Sequence, residues 1–465
     1  MKRLISSLVL LCLFGFSATP AAAQSILRDA ETEAWLADIS RPIIIAAGLQ
    51  PANVRVVLIQ DSSINAFVAG GQIVYINSGL IDAADNSDEV QGVIAHELGH
   101  VVGGHAVFQN DGGYTGVSIL SLLLGAAAVA AGSPEAGTAI VMGGQRAALG
   151  KYLAFSRVQE SSADAAGARF LGLAGISGHG MLEFFKKLDN LQHRYGYYNS
   201  DPDMDPFLQT HPMSADRIAT LTDTLTASPS WNTKTDPALD VRFKRVQAKL
   251  RGYVNEAKDT LDKYPANDNS VYAHYARAYA YHKSGYPDQA AAEANALVEA
   301  QPNDPYFLEL QGQIMLESGD PRGALAPLRK ATDETHNNSL IATTFGHALI
   351  ATEDPANLAE AERILRQAVA RDKENPGAWF ELGMVFERNN DTAHVALATA
   401  ERANLTGDTR TALQSSQAAM AQLPTGSTDW VRAQDIMMVS QTAYDEEKRK
   451  RRRQAGFAFQ GSPVR

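Results

Sequence analysis

Small residues recur at a fixed interval through the second half of the chain, and that interval constrains its fold more than any other feature. Gly285 and Gly319, Ala290 and Ala324, and Gly312 and Gly346 are each 34 residues apart. A chain that repeats itself at this period builds one helical hairpin per repeat, and no single hairpin can bury its apolar face alone. Neighbouring hairpins must therefore stack, with small residues where the helices touch. Ala331 and Ala368 take such positions, and Pro302 closes one repeat. Extra residues near Pro355 to Leu358 stretch the interval from Gly346 to Gly383 to 37.

The stretch Trp379-Phe380-Glu381-Leu382-Gly383-Met384-Val385-Phe386 fits the W-x2-L-G-x2-Y opening of the tetratricopeptide repeat (TPR), with Phe in place of Tyr. The spacing gives roughly four repeats between residues 240 and 405, with a further helix pair through Leu423. Stacked helix pairs form a concave groove suited to a peptide or a partner protein. The same stack can also serve only as a scaffold for the rest of the chain.

The first half is of a different kind. Lys2 and Arg3 precede an apolar run from Leu4 to Phe16, and Ala21-Ala22-Ala23 offers small residues for cleavage. Residues 1–23 therefore read as a secretory signal that places the mature chain outside the cytoplasm, and its apolar run is short for a membrane span. The signal carries Cys12, the one cysteine, so cysteine is expected neither as nucleophile nor as metal ligand in the mature chain. A formal charge of −11 gives no general reason to bind nucleic acid.

Val54 to Ile59 is rich in β-branched residues and predicts a strand, and Asn65 to Ile76 predicts two short strands turning at Gly70-Gly71. Residues 25–50 have helical spacing that begins at Ile26. Asn86-Ser87-Asp88-Glu89 predicts a capped helix start, and the helix it opens carries Ala95-His96-Glu97-Leu98-Gly99-His100 before Gly103-Gly104 ends it. Residues four apart on a helix lie about 40° apart around its axis, so His96 and His100 leave one face and can share a zinc ion. Glu97 stands beside them, placed to take a proton from water at the metal. The edge of a strand pair next to such a helix can align an extended substrate backbone.

A catalytic zinc site needs a third protein ligand. The metzincin arrangement asks for a histidine six residues after His100, where the chain has Ala106, and no Met-turn follows. His105 falls one residue early and reads as a helix-end residue or as support for the site. Farther on, Glu160 and Asp164 share one face of a helix beginning near Phe155. Such a pair could be a solvated acidic face. It could equally supply a ligand, Glu160, and a carboxylate, Asp164, that orients a ligating histidine.

These motifs, with the stretch from Asn65-Ala66-Phe67 to Gly79-Leu80, resemble the gluzincin peptidases that include HtpX and the CAAX prenyl proteases. The resemblance implies a mostly α fold: an α+β zinc peptidase domain of helices and a small sheet, followed by an α-solenoid of TPR repeats. It implies one zinc ion held by His96, His100 and Glu160, with Glu97 as general base and Asp164 behind the ligands. The segment Thr210-His211-Pro212-Met213 and Arg217 resemble the periplasmic subgroup, in which a histidine reaches the metal's open position. His211 is thereby implied as a cap on zinc or a contact to the reacting carbonyl, and Asn65 and Arg217 as contacts to substrate or transition state.

The expected organisation is a signal at 1–23, a zinc peptidase domain at 24–228, a TPR domain at 229–430, and a helix with a basic tail at 431–465. Val117 to Ala131 and residues 136–150 are strongly apolar. They are expected to form a packed helical hairpin or lid, with transient membrane contact or a true membrane span as the alternatives. The expected function is a zinc endopeptidase; the resemblance implies that it acts in the periplasm on misfolded or stalled outer-membrane proteins, with the TPR arm docking to substrates or to their assembly machinery. A chaperone or assembly adaptor with a largely silent peptidase site is the alternative.

Overall fold

The computed structural model describes residues 25–69, 71–105, 157–195, 211 and 214–459. The leader at 1–23, the apolar stretch at 117–150 and the neighbours Thr210, Pro212 and Met213 of His211 lie outside the described residues. The chain is mostly α-helical, with one small sheet near its start and repetitive helix pairing through its second half. It gathers into two compact units. One holds Leu36–Leu239 with the strand β1 (Ser25–Leu27), and the other holds Arg28–Trp35 together with Asp240 onward.

In the first unit β1 and three further strands, β2 (Arg55–Gln60), β3 (Ala66–Ala69) and β4 (Ile73–Asn77), form a sheet in the order β1-β2-β4-β3. β2 and β4 run parallel with Val57 opposite Tyr75, while β3 returns antiparallel with Phe67 opposite Tyr75. The helical spacing expected from Ile26 is corrected at its start. Residues 25–27 pair antiparallel with β2, and the helix α1 (Ala30–Ala46) begins only after Asp29, whose carboxylate accepts from Thr32 N at 2.7 Å. A side-chain acceptor at that place satisfies a backbone donor that has no partner within the helix.

The short α2 (Ser78–Ala83) leads into α3 (Ser87–Val102). Asn86 caps α3 by accepting from Glu89 N at 3.0 Å, and the Glu89 carboxylate reaches back to accept from Asp85 N at 3.0 Å. From Glu89 to His100 every residue of α3 is buried. A helix covered on all sides holds its side chains in fixed rotamers, which suits a helix that carries a site. It is enclosed by α4 (residues 157–174) and α5 (His179–Tyr195), while Gln91 donates to the carbonyl of Ile39 at 3.0 Å. The helix α6 (Ala215–Thr226) packs on α5.

The second unit follows through α7 (Pro237–Val254) and α8 (Ala257–Lys263) into successive hairpins. These are α9 (Val271–Lys283) with α10 (Pro287–Ala300), α11 (Pro305–Glu317) with α12 (Pro321–Glu334), and α13 (Ser339–Ala351) with α14 (Pro355–Arg371). Then come α15 (Pro376–Arg388) with α16 (Thr392–Leu405), and α17 (Thr409–Gln422) against the long α18 (Thr428–Phe459). Several helices open on a carboxylate or amide cap followed by proline, as at Asp304-Pro305, Asp354-Pro355 and Asn375-Pro376. Proline costs nothing at the first helical position, where its missing N–H has no partner to lose. The extra residues of the third repeat lengthen α14 to 17 residues, against 14 in α12. Ala324, Leu328, Phe345, Leu365, Ala368, Trp379 and Ala398 interlock as one continuous core across these hairpins.

The segment Arg28–Trp35 belongs to this unit through buried charge. Glu31 pairs with Arg245 at 2.8 Å and accepts from the Tyr275 hydroxyl at 2.6 Å, and Asp29 pairs with Lys249. Ala30 is buried among Leu308, Ala331 and Ile341. Burial pushes the Glu31 carboxyl up against the pull of Lys249 and Arg245. Removing one partner of such a group leaves the other charges uncompensated. Lys249→Met should therefore destabilise the chain by about 3–5 kcal/mol, whereas Lys258→Met at an exposed position should change it by less than about 0.5 kcal/mol; urea unfolding of both variants checks this.

Candidate metal centre

The two histidines of α3 present their Nε2 atoms to each other at 3.1 Å, both on the face turned to α4. Their approach depends on Gly99 between them. A Cβ there would lie 2.7 Å from the carbonyl oxygen and 2.8 Å from the Cα of Ala163, so only glycine lets α3 and α4 run this close. Across that contact Glu160 offers Oε2 to His96 Nε2 at 3.3 Å and Oε1 to His100 Nε2 at 3.2 Å. His211, from a part of the chain beyond α5, brings Nδ1 to 2.9 Å from Glu160 Oε1 and 3.3 Å from His96 Nε2.

Four donors thus converge: one atom each from His96, His100, Glu160 and His211, all within 4.8 Å of one another. Around a tetrahedral ion with bonds of roughly 2.0–2.1 Å, ligand atoms stand about 3.3–3.4 Å apart. The separations of 2.9–3.3 Å lie at or just inside that edge. Three imidazoles and a carboxylate are a donor set typical of zinc. The residues present therefore fit a single metal ion.

Behind the donors, Asp164 lies one turn after Glu160 and brings Oδ1 to 3.0 Å from His96 Nδ1. Arg217, the third residue of α6, clamps the same carboxylate from the other side, with Nε to Oδ2 at 2.7 Å and Nη2 to Oδ1 at 2.8 Å, and reaches Glu160 Oε2 at 3.0 Å. Arg217, expected as a contact to substrate or transition state, forms a buried ion pair with the acidic residues of α4. That geometry suits holding them in place. Phe185 of α5 packs edge-on against the His96 ring at 5.3 Å, a contact that no local motif announces.

The electrostatics favour positive charge at the point where the donors meet. Burial drives the His96 imidazole down, but its bonds to Asp164 and Glu160 more than reverse this and hold it at about 10. Burial also opposes the Glu160 carboxylate, yet the His211 charge and the bonds from His100, His211 and His96 keep it well below the ordinary carboxylate range. Asp164 is likewise held low against burial by His96 and Arg217. Burial lowers His100 and His105.

Glu97 is buried, and its Oε1 has no hydrogen-bond donor among the described residues. His211 Nε2 lies 3.7 Å from it. His211 thus faces the donors with one nitrogen and Glu97 with the other. A buried carboxylate oxygen without a donor is costly, as expected of a group whose partner arrives with the reaction. Asn65 immediately precedes β3; its side-chain oxygen is also buried without a donor among the described residues.

Comparison with known proteins bears on this arrangement. Residues 30–225 match peptidase family M48. Over that stretch, less than half of its length, the chain is similar to M48 peptidases. A beta-barrel assembly-enhancing protease of Escherichia coli (strain K12) is 25% identical over 382 residues, which cover 80% of this chain and 75% of that protein. Metalloprotease LoiP of Escherichia coli (strain K12) is 32% identical over 183 residues, 38% of this chain and 64% of its own length. A Vibrio cholerae serotype O1 relative is 26% identical over 293 residues, so the chain spans 59% of that protein. The M48 match and the His/Glu cluster together support metalloendopeptidase activity for residues 30–225.

The close approach of α3 and α4 gives a direct test. Gly99→Ala should force the helices apart, draw Glu160 from the two imidazoles and weaken zinc binding roughly tenfold or more; competition with a chromophoric chelator measures it.

Proposed function

We propose that this chain is a periplasmic zinc endopeptidase that degrades misfolded or stalled outer-membrane proteins and is held closed at rest by His211. The observation that carries the reading is the set of four donors. A catalytic zinc site keeps one position free for water or substrate, whereas a site with four protein ligands is closed. Here the fourth donor comes from His211, which also stands against the candidate base Glu97.

His96, His100 and Glu160 would hold the metal in the open form. A zinc ion there would supply Lewis acidity toward the scissile carbonyl and toward water. With His211 withdrawn, Glu97 is free to accept a proton from the attacking water and return it to the leaving amine. Asp164 keeps the His96 ring oriented throughout. No covalent intermediate is required. Among the described residues β3 pairs only with β4, so its outer edge offers backbone donors and acceptors to an extended substrate.

The substrate and partner reading draws on the relatives, one of which is named for enhancing β-barrel assembly, and on the leader expected at 1–23. The stacked hairpins supply a surface for holding an unfolded chain or an assembly partner. The closed donor set also favours a second reading, an adaptor whose peptidase is silent for most of its lifetime.

Two variants separate these readings. Glu97→Gln should keep the metal and partner binding but lower cleavage of an unfolded β-barrel protein by roughly 10²–10⁴-fold. If cellular function survives that loss, the adaptor reading wins. His211→Ala should raise cleavage on the order of tenfold where the closed form dominates by that ratio. Unchanged zinc affinity together with unchanged proteolysis would sink the gate.

A further inference from the structure

His100 differs from His96 in what stands behind it. The His96 Nδ1 faces a carboxylate, while the His100 Nδ1 faces another imidazole, His105 Nδ1, at 2.9 Å, with the two rings crossing at 74°. The contact is built by the backbone. Gly103 closes α3, and Gly104 turns the chain through a φ of +66°, a left-handed conformation that glycine adopts without penalty. The His105 ring then lies over Gly103, where a Cβ would come within 2.5 Å of Nε2 and 2.7 Å of Cε1. Both glycines are thus needed for one outcome, the return of His105 to the rear of His100. His105 is itself buried.

Two nitrogens at hydrogen-bond distance share a single proton. The lone pair of His100 Nε2 is directed at the donor cluster, so in a neutral ring the proton must sit on Nδ1. His105 Nδ1 is then the acceptor, and the His105 proton is confined to Nε2, above Gly103. We propose that His105 is a positioning residue for the metal site: it accepts the Nδ1 proton of His100 and so fixes both the tautomer and the ring orientation in which His100 can ligate. The Gly103-Gly104 turn exists to deliver it. The inference rests on His100 being a ligand, and it assigns the two motif histidines unlike supports: a charged one for His96 and a neutral, tautomer-locked one for His100.

The test uses the full chain, with zinc affinity read by chelator competition and proton positions read by long-range ¹H–¹⁵N correlation of labelled histidines in the zinc-loaded state. His105→Ala should weaken zinc binding roughly tenfold to a hundredfold. His105→Asp, which restores an acceptor, should recover most of that loss. Gly103→Ala should reproduce the loss by displacing the His105 ring with neither histidine replaced, and it decides the matter if His105→Ala does not fold. In the wild type, His100 should carry its proton on Nδ1 and His105 on Nε2. Wild-type zinc affinity retained in folded His105→Ala and Gly103→Ala, or a His105 proton found on Nδ1, overturns the proposal. If His100→Ala also retains that affinity, the ligand reading of His100 falls with it.

Discussion

Everything about the metal centre depends on two carboxylates held one helical turn apart, out of contact with water. Glu160 and Asp164 would repel each other on an isolated helix. Buried, they persist because each is matched: Glu160 by three imidazoles and a guanidinium, Asp164 by His96 and the fork of Arg217. The arrangement makes the surroundings of α4 strongly favourable to a cation. It also makes them intolerant of losing any one partner, because an unmatched buried charge costs several kcal/mol. Arg217 is therefore as much a part of the site as the residues that would touch the metal.

The same economy of contact governs the helices. α3 is enclosed from Glu89 to His100, and its meeting with α4 is close enough that a methyl group at position 99 does not fit. Rigid packing of that kind leaves little freedom in the ligands from α3 and α4. His211 differs, since it comes from neither helix yet supplies the fourth donor. Under the proposed gate, the chemistry is set by two helices and access by a separate residue, His211. Those two properties can then be changed independently.

The repeat unit follows another logic, in which each hairpin is stabilised by its neighbours. Its core of alanines and large apolar residues continues from hairpin to hairpin. The segment Arg28–Trp35 adds buried ion pairs to it from far away in sequence. Composition placed the change of character near Pro229, but these eight residues have the look of an ordinary amphipathic helix start. Nothing local distinguishes a carboxylate that will face solvent from one that will meet Arg245 or Lys249.

Periodic and local features were legible in the sequence because they arise from contacts within a few residues or one repeat. The 34-residue interval, the Asn86 cap and the shared face of His96 and His100 are all of this kind, and so is the i,i+4 pair Glu160 and Asp164. The strand at 25–27 was missed because three residues carry too little pattern to outweigh the helix that follows. The resemblance brought Arg217 into the site but not its pairing with Asp164 and Glu160, and Phe185 was not foreseen at all. Which carboxylate Arg217 would clamp, which ring would brace His96, and whether His105 would turn back to His100 are settled by helix crossings between distant parts of the chain. Short-range periodicity carries no information about those crossings. The sequence alone determined the repeated hairpins and the metal-binding face of α3; tertiary packing decided which side chains complete and restrain that face, because only there do distant charges lose their water and have to find one another.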